Sequence, residues 1–416
     1  MKKYWKLITL TIIIMAGIGT FYIYDSLAAD AYPAFTIETN SGNEEVIENL
    51  LINAHYGTGQ NIQPVQITKD EAIYANERSF FERLDGAYLS PERKHLQENY
   101  RNFMRGKAIY GSFYEDEEYL VYANVNIDTS ALEARSSSIE VSMLDKGTDE
   151  TTSFVYDIPH SSEVNHVALQ DVQLVNDNVT LITQNHSRSQ GNLAIHVYEF
   201  DAQSHELIRE ESIISDQAQE QNQFTDMFML NETDPMSSKD YAVFRNVVRE
   251  EIRNNDGTYS HEEISNELIA YNLESGKIED ITLTEELKEF GRVNLFDGTN
   301  LYFTKSIENG LEVVSYNIKD KKIENEMTVE LDQVESSQAP SFPMVNEGGR
   351  ELAHLTVHDK NLYILSRIGN VEEPADLIVI DLETEETIYE GEISEKGQNR
   401  DSDEKYELTI TGIEVN

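Results

Sequence analysis

The sequence predicts an all-β protein assembled from repeated small sheets. Three observations predict it. Apolar and polar residues alternate with period two through most of the chain, as they do in half-buried strands. One strand–turn–strand unit recurs from residue 108 onward, its turn opened by Asp or Asn. The one amphipathic helix beyond the leader falls near residues 91–105.

The leader comes first in the chain. Lys2, Lys3 and Lys6 precede an uncharged run from Leu7 to Tyr24, and no further Lys or Arg occurs until Lys69. As a helix the run spans about 27 Å, just short of a hydrocarbon core of roughly 30 Å. Lysines on the amino side only orient such a segment with its amino end inside and the rest of the chain outside. Trp5 at one rim and Tyr22 and Tyr24 at the other suit the two interfaces. Residues 1–25 are therefore expected to be a cytoplasmic stub and transmembrane anchor. The alternative is a signal peptide cleaved after Ala28 or Ala31, where Ser26-Leu27-Ala28 and Ala29-Asp30-Ala31 offer small residues to a peptidase. Both readings place the folded part outside the cytoplasm, tethered in the first case and secreted in the second.

Residues 26–107 read as a linker and amino-terminal strands followed by the helix. Phe35–Thr39 and Val65–Thr68 have strand character, and Glu44–Leu51 fits a short helix or a strand. Ser90 and Pro91 open the helix as cap and first helical residue. Leu96, Tyr100, Phe103 and Met104 share one face, and Gly106 ends it. Arg93, Lys94, Arg101, Arg105 and Lys107 gather here, in a chain otherwise short of positive charge. They suit pairing with acidic neighbours or a docking face.

Residues 108–416 carry the repeats. Ala194–Asp201, Leu268–Asn272, Val313–Asn317 and Leu377–Asp381 each end a strand in Asp or Asn and continue through a tight turn to Leu207, Ile278, Ile323 and Ile388. A looser copy ends at Leu144-Asp145-Lys146-Gly147. The acid or amide closes the turn with its side chain, and Gly276 or Gly147 supplies positive φ. Upstream partner strands recur at Tyr119–Ala123, Val179–Thr183, Tyr241–Arg245, Leu301–Thr304 and Leu362–Ser366. Phe35–Thr39 and Glu407–Val415 are candidates to close the array by pairing the two chain ends, which leaves fewer open edges.

With this unit repeating about every 60 residues, the chain resembles the bacterial extracytoplasmic β-propellers. The resemblance covers residues 108–416 and implies six to eight four-stranded blades, with seven favoured. It implies a fold and no activity. A single Trp, at position 5, separates the chain from tryptophan-aspartate repeats, sialidase Asp boxes and tryptophan-bearing quinoprotein blades.

Composition excludes several classes of function. With 32 basic and 77 acidic residues the formal net charge is −45, a field that repels nucleic acid and anionic headgroups. The acidic surface suits salty surroundings or the collection of cations. No Cys is present, so disulfides, thiolate zinc sites, iron–sulfur clusters and cysteine nucleophiles are excluded. Cys-free exported chains are common in bacteria, which points to a bacterial source.

No catalytic, cofactor-binding or metal-ligating residue is nominated. His354 and His358 on a strand lie about 13 Å apart, too far to share a metal. His160, His166, His186, His196 and His205 read as surface or partly buried polar residues. Glu115-Asp116-Glu117-Glu118, Glu372-Glu373 and Asp401-Ser402-Asp403-Glu404 are acid runs, whereas acid catalysis needs one carboxyl raised by burial. Asn254-Asn255-Asp256-Gly257 with Glu263 approximates half of a calcium loop, but Ile252 occupies the first ligand position, so a hairpin turn fits better. Gly57-Thr58-Gly59 lacks the third glycine of a dinucleotide fingerprint. Asn185-His186-Ser187 is a formal glycosylation triplet. The expectation is a non-catalytic, membrane-tethered scaffold that presents a rim to a protein or cell-wall partner. The alternative is a hydrolase or lyase acting on cell-wall or extracellular polysaccharide.

Overall fold

The structure is a computed structural model. It describes residues 32–58, 61–78, 91–108, 111–128, 136–159, 164–187, 193–215, 222–230, 234–254, 258–281, 292–307, 310–330, 353–366, 368–370, 375–396 and 407–415, with isolated residues in 6–20 and 283–290. The described residues of the leader, among them Thr9–Ile12, are helical. Leu10, Ile12 and Met15 are exposed. Among the described residues no helix is long and apolar enough to cross a membrane. Most of the run Leu7–Tyr24 lies outside them.

Strands dominate, as the period-two alternation predicts, and among the described residues they form six antiparallel sheets. Six sheets fall within the expected six to eight, one fewer than the favoured seven. Residues group into two compact units. The first comprises Met1–His95, Ser306–Leu311 and Met327–Asn416, and the second Leu96–Lys305 and Glu312–Glu326.

The first unit holds two five-stranded sheets that combine strands from both chain ends. Strand β1 (Phe35–Gly42) lies beside β25 (Glu386–Glu395), followed by β24 (Ala375–Asp381), β22 (Asn361–Ser366) and β21 (Ala353–His358). In the other sheet β26 (Glu407–Val415) is inserted between β23 (Ile368–Asn370) and β2 (Leu50–Thr58). The strands β3 (Asn61–Ile67) and β4 (Ala72–Tyr74) complete it. Both closure candidates thus pair with the opposite chain end, but not with each other. Phe35 faces Glu395, and Leu50 faces Val415. One core serves the two sheets, with Phe35, Ile52, Ile67, Leu377, Tyr389 and Ile410 buried in it.

The second unit contains simple meanders with no crossovers. These are β5–β8 (Ser112–Glu115, Tyr119–Asp128, Ser136–Asp145, Glu150–Asp157) and β9–β12 (Val164–Val175, Asn178–Ser187, Leu193–Asp201, Leu207–Ser215). A third is β13–β16 (Gln223–Met229, Tyr241–Arg253, Tyr259–Asn272, Lys277–Asp280). One more meander, β17–β20 (Arg292–Phe296, Asn300–Ile307, Gly310–Asn317, Lys322–Glu330), repeats the order, most of its residues falling in this unit. Consecutive sheets share cores. Val141 and Val172 meet in one, Val197 and Phe244 in the next, and Val243 and Phe303 in the third.

The repeated turn has a common geometry. Asp145, Asp201, Asn272, Asn317 and Asp381 each accept a backbone N–H two or three residues on, as from Ser204 at 2.6 Å and Ser275 at 2.7 Å. Four residues after each of them the backbone turns left-handed, at Asp149, His205, Gly276, Lys321 and Glu385. Glycine occupies that place only at Gly276. Gly147 is not the residue with positive φ in its turn; Asp149 is. The residue after each Asp or Asn then donates its N–H to the preceding turn of the same sheet, as Ala202 does to Asp177 O at 3.1 Å. Each module is thereby tied at one end by two locked turns.

The expected single helix is two. α1 (Pro91–Asn99) and α2 (Arg101–Met104) break at Tyr100, whose ψ of 44° leaves the helical region. Leu96 and Phe103 are buried and Tyr100 and Met104 pack against them, so the predicted face holds. The cap Ser90 lies outside the described residues.

Candidate functional site

Among the described residues, a buried ion pair lies where β5, β9 and the connection between β13 and β14 meet. Lys239 Nζ stands 3.1 Å from Asp171 Oδ2, with side chains 3% and 4% exposed. Local sequence explains the placement. Val172 enters the apolar core shared by the β5–β8 and β9–β12 sheets, so alternation turns Asp171 and Gln173 to the opposite face. A bulge between the Ile182 and Thr183 pairings leaves Gln170 unpaired just before Asp171, and bulges re-aim neighbouring side chains. Gln173 Nε2 donates to Asp171 Oδ1 at 3.4 Å. Lys239 is thus the charged partner of Oδ2, and Gln173 the amide partner of Oδ1. Burial pushes the Asp171 carboxyl up, and the Lys239 charge opposes it.

Lys239 closes a loop that is fixed along its length. Asp234 Oδ1 accepts the N–H groups of Met236 and Ser237 at 3.1 and 3.2 Å. Met236 O accepts the Glu115 N–H at 2.9 Å, and the Met236 side chain packs against the Leu96 and Phe103 cluster. Beside it, Glu115 Oε1 accepts from Lys146 at 2.7 Å and from the Tyr100 hydroxyl at 2.8 Å. Tyr114 donates to Asp116 Oδ2 at 2.8 Å, and burial followed by Asp116 pushes its hydroxyl up. Asp234, Pro235, Ser238 and Asp240 are left exposed. The arrangement is a buried ionic fastener beneath a presented loop. Acid catalysis on a glycosidic bond uses two carboxyls. The raised carboxyl here faces an ammonium and is closed to solvent, which does not suit that chemistry.

The sequence candidates are dispersed. His354 Nε2 lies 3.0 Å from Ile410 O, and His358 at the far end of β21 approaches Asp359 at 3.4 Å. Glu115 is held as above, while Asp116 closes the turn to Tyr119. Asn254 N–H donates to Thr258 O and Arg253 pairs with Tyr259, so β14 and β15 run as a hairpin, with Glu263 on β15; Asn255, Asp256 and Gly257 lie outside the described residues. Glu372, Glu373, Asp401, Asp403, Glu404, Gly59 and His160 lie outside the described residues. Of the basic group, Lys107 tucks over the Phe103 and Tyr122 rings at 4.8 and 4.5 Å, and burial lowers its pKa. Lys94, Arg101 and Arg105 stay exposed.

One juxtaposition escaped sequence reasoning. His166 on β9 and His186 on β10 are direct cross-strand partners, with ring centroids 5.8 Å apart and planes at 47°. Burial and the neighbouring His166 hold His186 below the usual imidazole range. His196 stacks on Tyr198 at 6.3 Å, and burial lowers it too. Among the described residues no group of three or more His, Asp or Glu side chains is placed to hold a metal ion.

No protein family and no curated protein matches the chain. Among solved structures, an uncharacterized protein of Listeria monocytogenes aligns at 10% identity and a TM-score of 0.31, over 68% of this chain and 65% of that one. The polysaccharide lyase Uly1 aligns at 10% identity and a TM-score of 0.31, over 73% and 58%. This chain spans less than two thirds of either. A Synechocystis apocarotenoid oxygenase variant aligns at 8% identity and a TM-score of 0.39, over 88% and 96%. Likeness at these scores carries no argument about this chain.

Proposed function

We propose that this chain is a membrane-tethered, extracytoplasmic β-propeller that acts as a non-catalytic binding or regulatory scaffold. Its six sheets are the blades. Meander order in four of the sheets, cores shared by consecutive sheets and strands exchanged between the chain ends support that reading. The leader supports the tether, since lysines on one flank of an apolar run orient it.

The observation that carries the binding role is the loop 234–240. A buried ion pair and a set of backbone bonds hold it rigid, while its outward side chains are polar and exposed. Loops fixed on a rigid scaffold are the usual place for recognition. The partner class is an extracytoplasmic protein or a cell-wall polymer. Crosslinking in intact membranes, followed by purification of the chain, tests it. A discrete crosslinked partner that is lost when Asp234, Ser238 and Asp240 are replaced by Ala supports the role. Recovery of the monomer alone under several crosslinkers refutes it. Protease added to intact cells tests the location separately, since cleavage at the folded part requires it to lie outside.

A further inference from the structure

We propose that His166 and His186 form a two-imidazole site for a borderline divalent transition-metal ion, with Cu²⁺ preferred over Zn²⁺ and Ni²⁺. The two residues face each other directly across the β9–β10 ladder. Such partners carry their Cβ atoms about 5 Å apart on one face of the sheet. A metal–nitrogen bond of about 2.0–2.1 Å puts each ring centroid about 3.2 Å from the ion, so two rings on one ion stand about 4.5 Å apart at a right angle and about 5.2 Å apart at the tetrahedral angle. The observed 5.8 Å is within about 1.3 Å of both values, a difference that rotation of the two imidazoles about their side-chain bonds can close with the strands held in register. Sheet register supplies the preorganisation that the 20-residue separation in sequence conceals.

The chemistry selects the class of ion. Two neutral imidazoles suit copper, zinc and nickel and do not suit calcium or magnesium, which take oxygen ligands. The order among the three follows from the general stability sequence, in which copper stands highest. Two protein ligands leave the remaining positions open to water or to a group brought by another molecule. Of the other described histidines, His354 is set against Ile410 O, His205 against the Phe154 ring and His261 against the Phe224 ring.

The test is a Cu²⁺ titration of the full chain at neutral pH, in excess Ca²⁺ to occupy the acidic surface, read by electron paramagnetic resonance. The expected result is one tight equivalent with hyperfine splitting from two imidazole nitrogens. His166→Ala and His186→Ala each abolish that splitting and weaken binding at least about tenfold, since loss of even an outer-shell partner costs about 10–100-fold. His358→Ala leaves both unchanged. His166 is exposed, so its variant keeps the fold and decides the matter if the His186 variant does not. A spectrum with oxygen ligands or one nitrogen, or a two-nitrogen signal that survives His166→Ala, overturns the proposal.

Discussion

Removing either partner of the buried Asp171–Lys239 pair should destabilise the second unit strongly, whereas removing both should not. At 3.1 Å the attraction is about 5 kcal/mol for an effective dielectric near 20. Desolvation of two ions that are 3% and 4% exposed costs several kcal/mol each, so the intact pair roughly breaks even. A lone buried charge has no such compensation, and single loss costs about 3–5 kcal/mol. Asp171→Asn strands the ammonium. Lys239→Met strands the carboxylate, which has an escape because burial already favours its protonated form. The two variants therefore differ in pH dependence. A carboxyl whose folded pKa lies above its unfolded value contributes most below the unfolded pKa and loses that contribution as pH rises through the folded one. The Lys239→Met deficit should thus shrink on acidification, while that of Asp171→Asn should not. Asp171→Leu with Lys239→Met should return stability to the parent level or above it by about 1–4 kcal/mol. Urea unfolding at several pH values, with m-values compared, measures all three. Single variants within about 1 kcal/mol of the parent, or a double variant as unstable as the sum of the singles, refute the fastener.

Further outcomes follow from other parts of the molecule. Gly42→Ala should loosen β1 from β25, because a Cβ there would lie 2.2 Å from Ile388 O and φ is +97°. A loss of about 1–3 kcal/mol in local opening, read by hydrogen exchange, is expected. Gly276→Ala should meet Arg209 Nη1 at 2.2 Å, and the flexible guanidinium should yield, leaving chiefly the cost of a left-handed Ala, so the melting temperature falls less than for Gly42→Ala. Tyr74→Phe removes a hydroxyl that donates to Pro33 O at 2.7 Å and should lower stability by about 1 kcal/mol in denaturant unfolding. Backbone N–H groups hold the Asp201 and Asp381 carboxyls below their usual range. Their contribution is present above the unfolded carboxyl pKa and is lost as pH falls through the depressed folded values. Carboxyl NMR titration should show both protonating later than free Asp, and a midpoint at or above the ordinary Asp value would contradict the turn geometry.

The modules were legible because their punctuation is local. Asp201, Asn272, Asn317 and Asp381 each satisfy backbone donors within three residues, so the side chain alone announces the turn. Partner choice is not local. β1 and β26 read plainly as strands, yet the register that gives one to β25 and the other to β2 depends on contacts hundreds of residues away. The fastener was hidden for a related reason. Asp171 is one acid among 77 Asp and Glu, and nothing nearby marks it as the one that Lys239 meets. His166 and His186 come into register across a ladder with two bulges, which no count of residues along the chain supplies. The break at Tyr100 follows from its packing and its bond to Glu115, whereas periodicity alone ran straight through it.

The insertion of β26 between β23 and β2 has a consequence for biogenesis. β2 ends at Thr58 and β26 begins only at Glu407, so β2 waits for its partner while every strand between them is made. Until then the Leu50–Thr58 edge has no partner there, so this sheet closes only after the strands between the two have been made. A nascent chain stalled or clipped before Glu407 would keep a bare, apolar-backed edge available to chaperones and quality-control proteases.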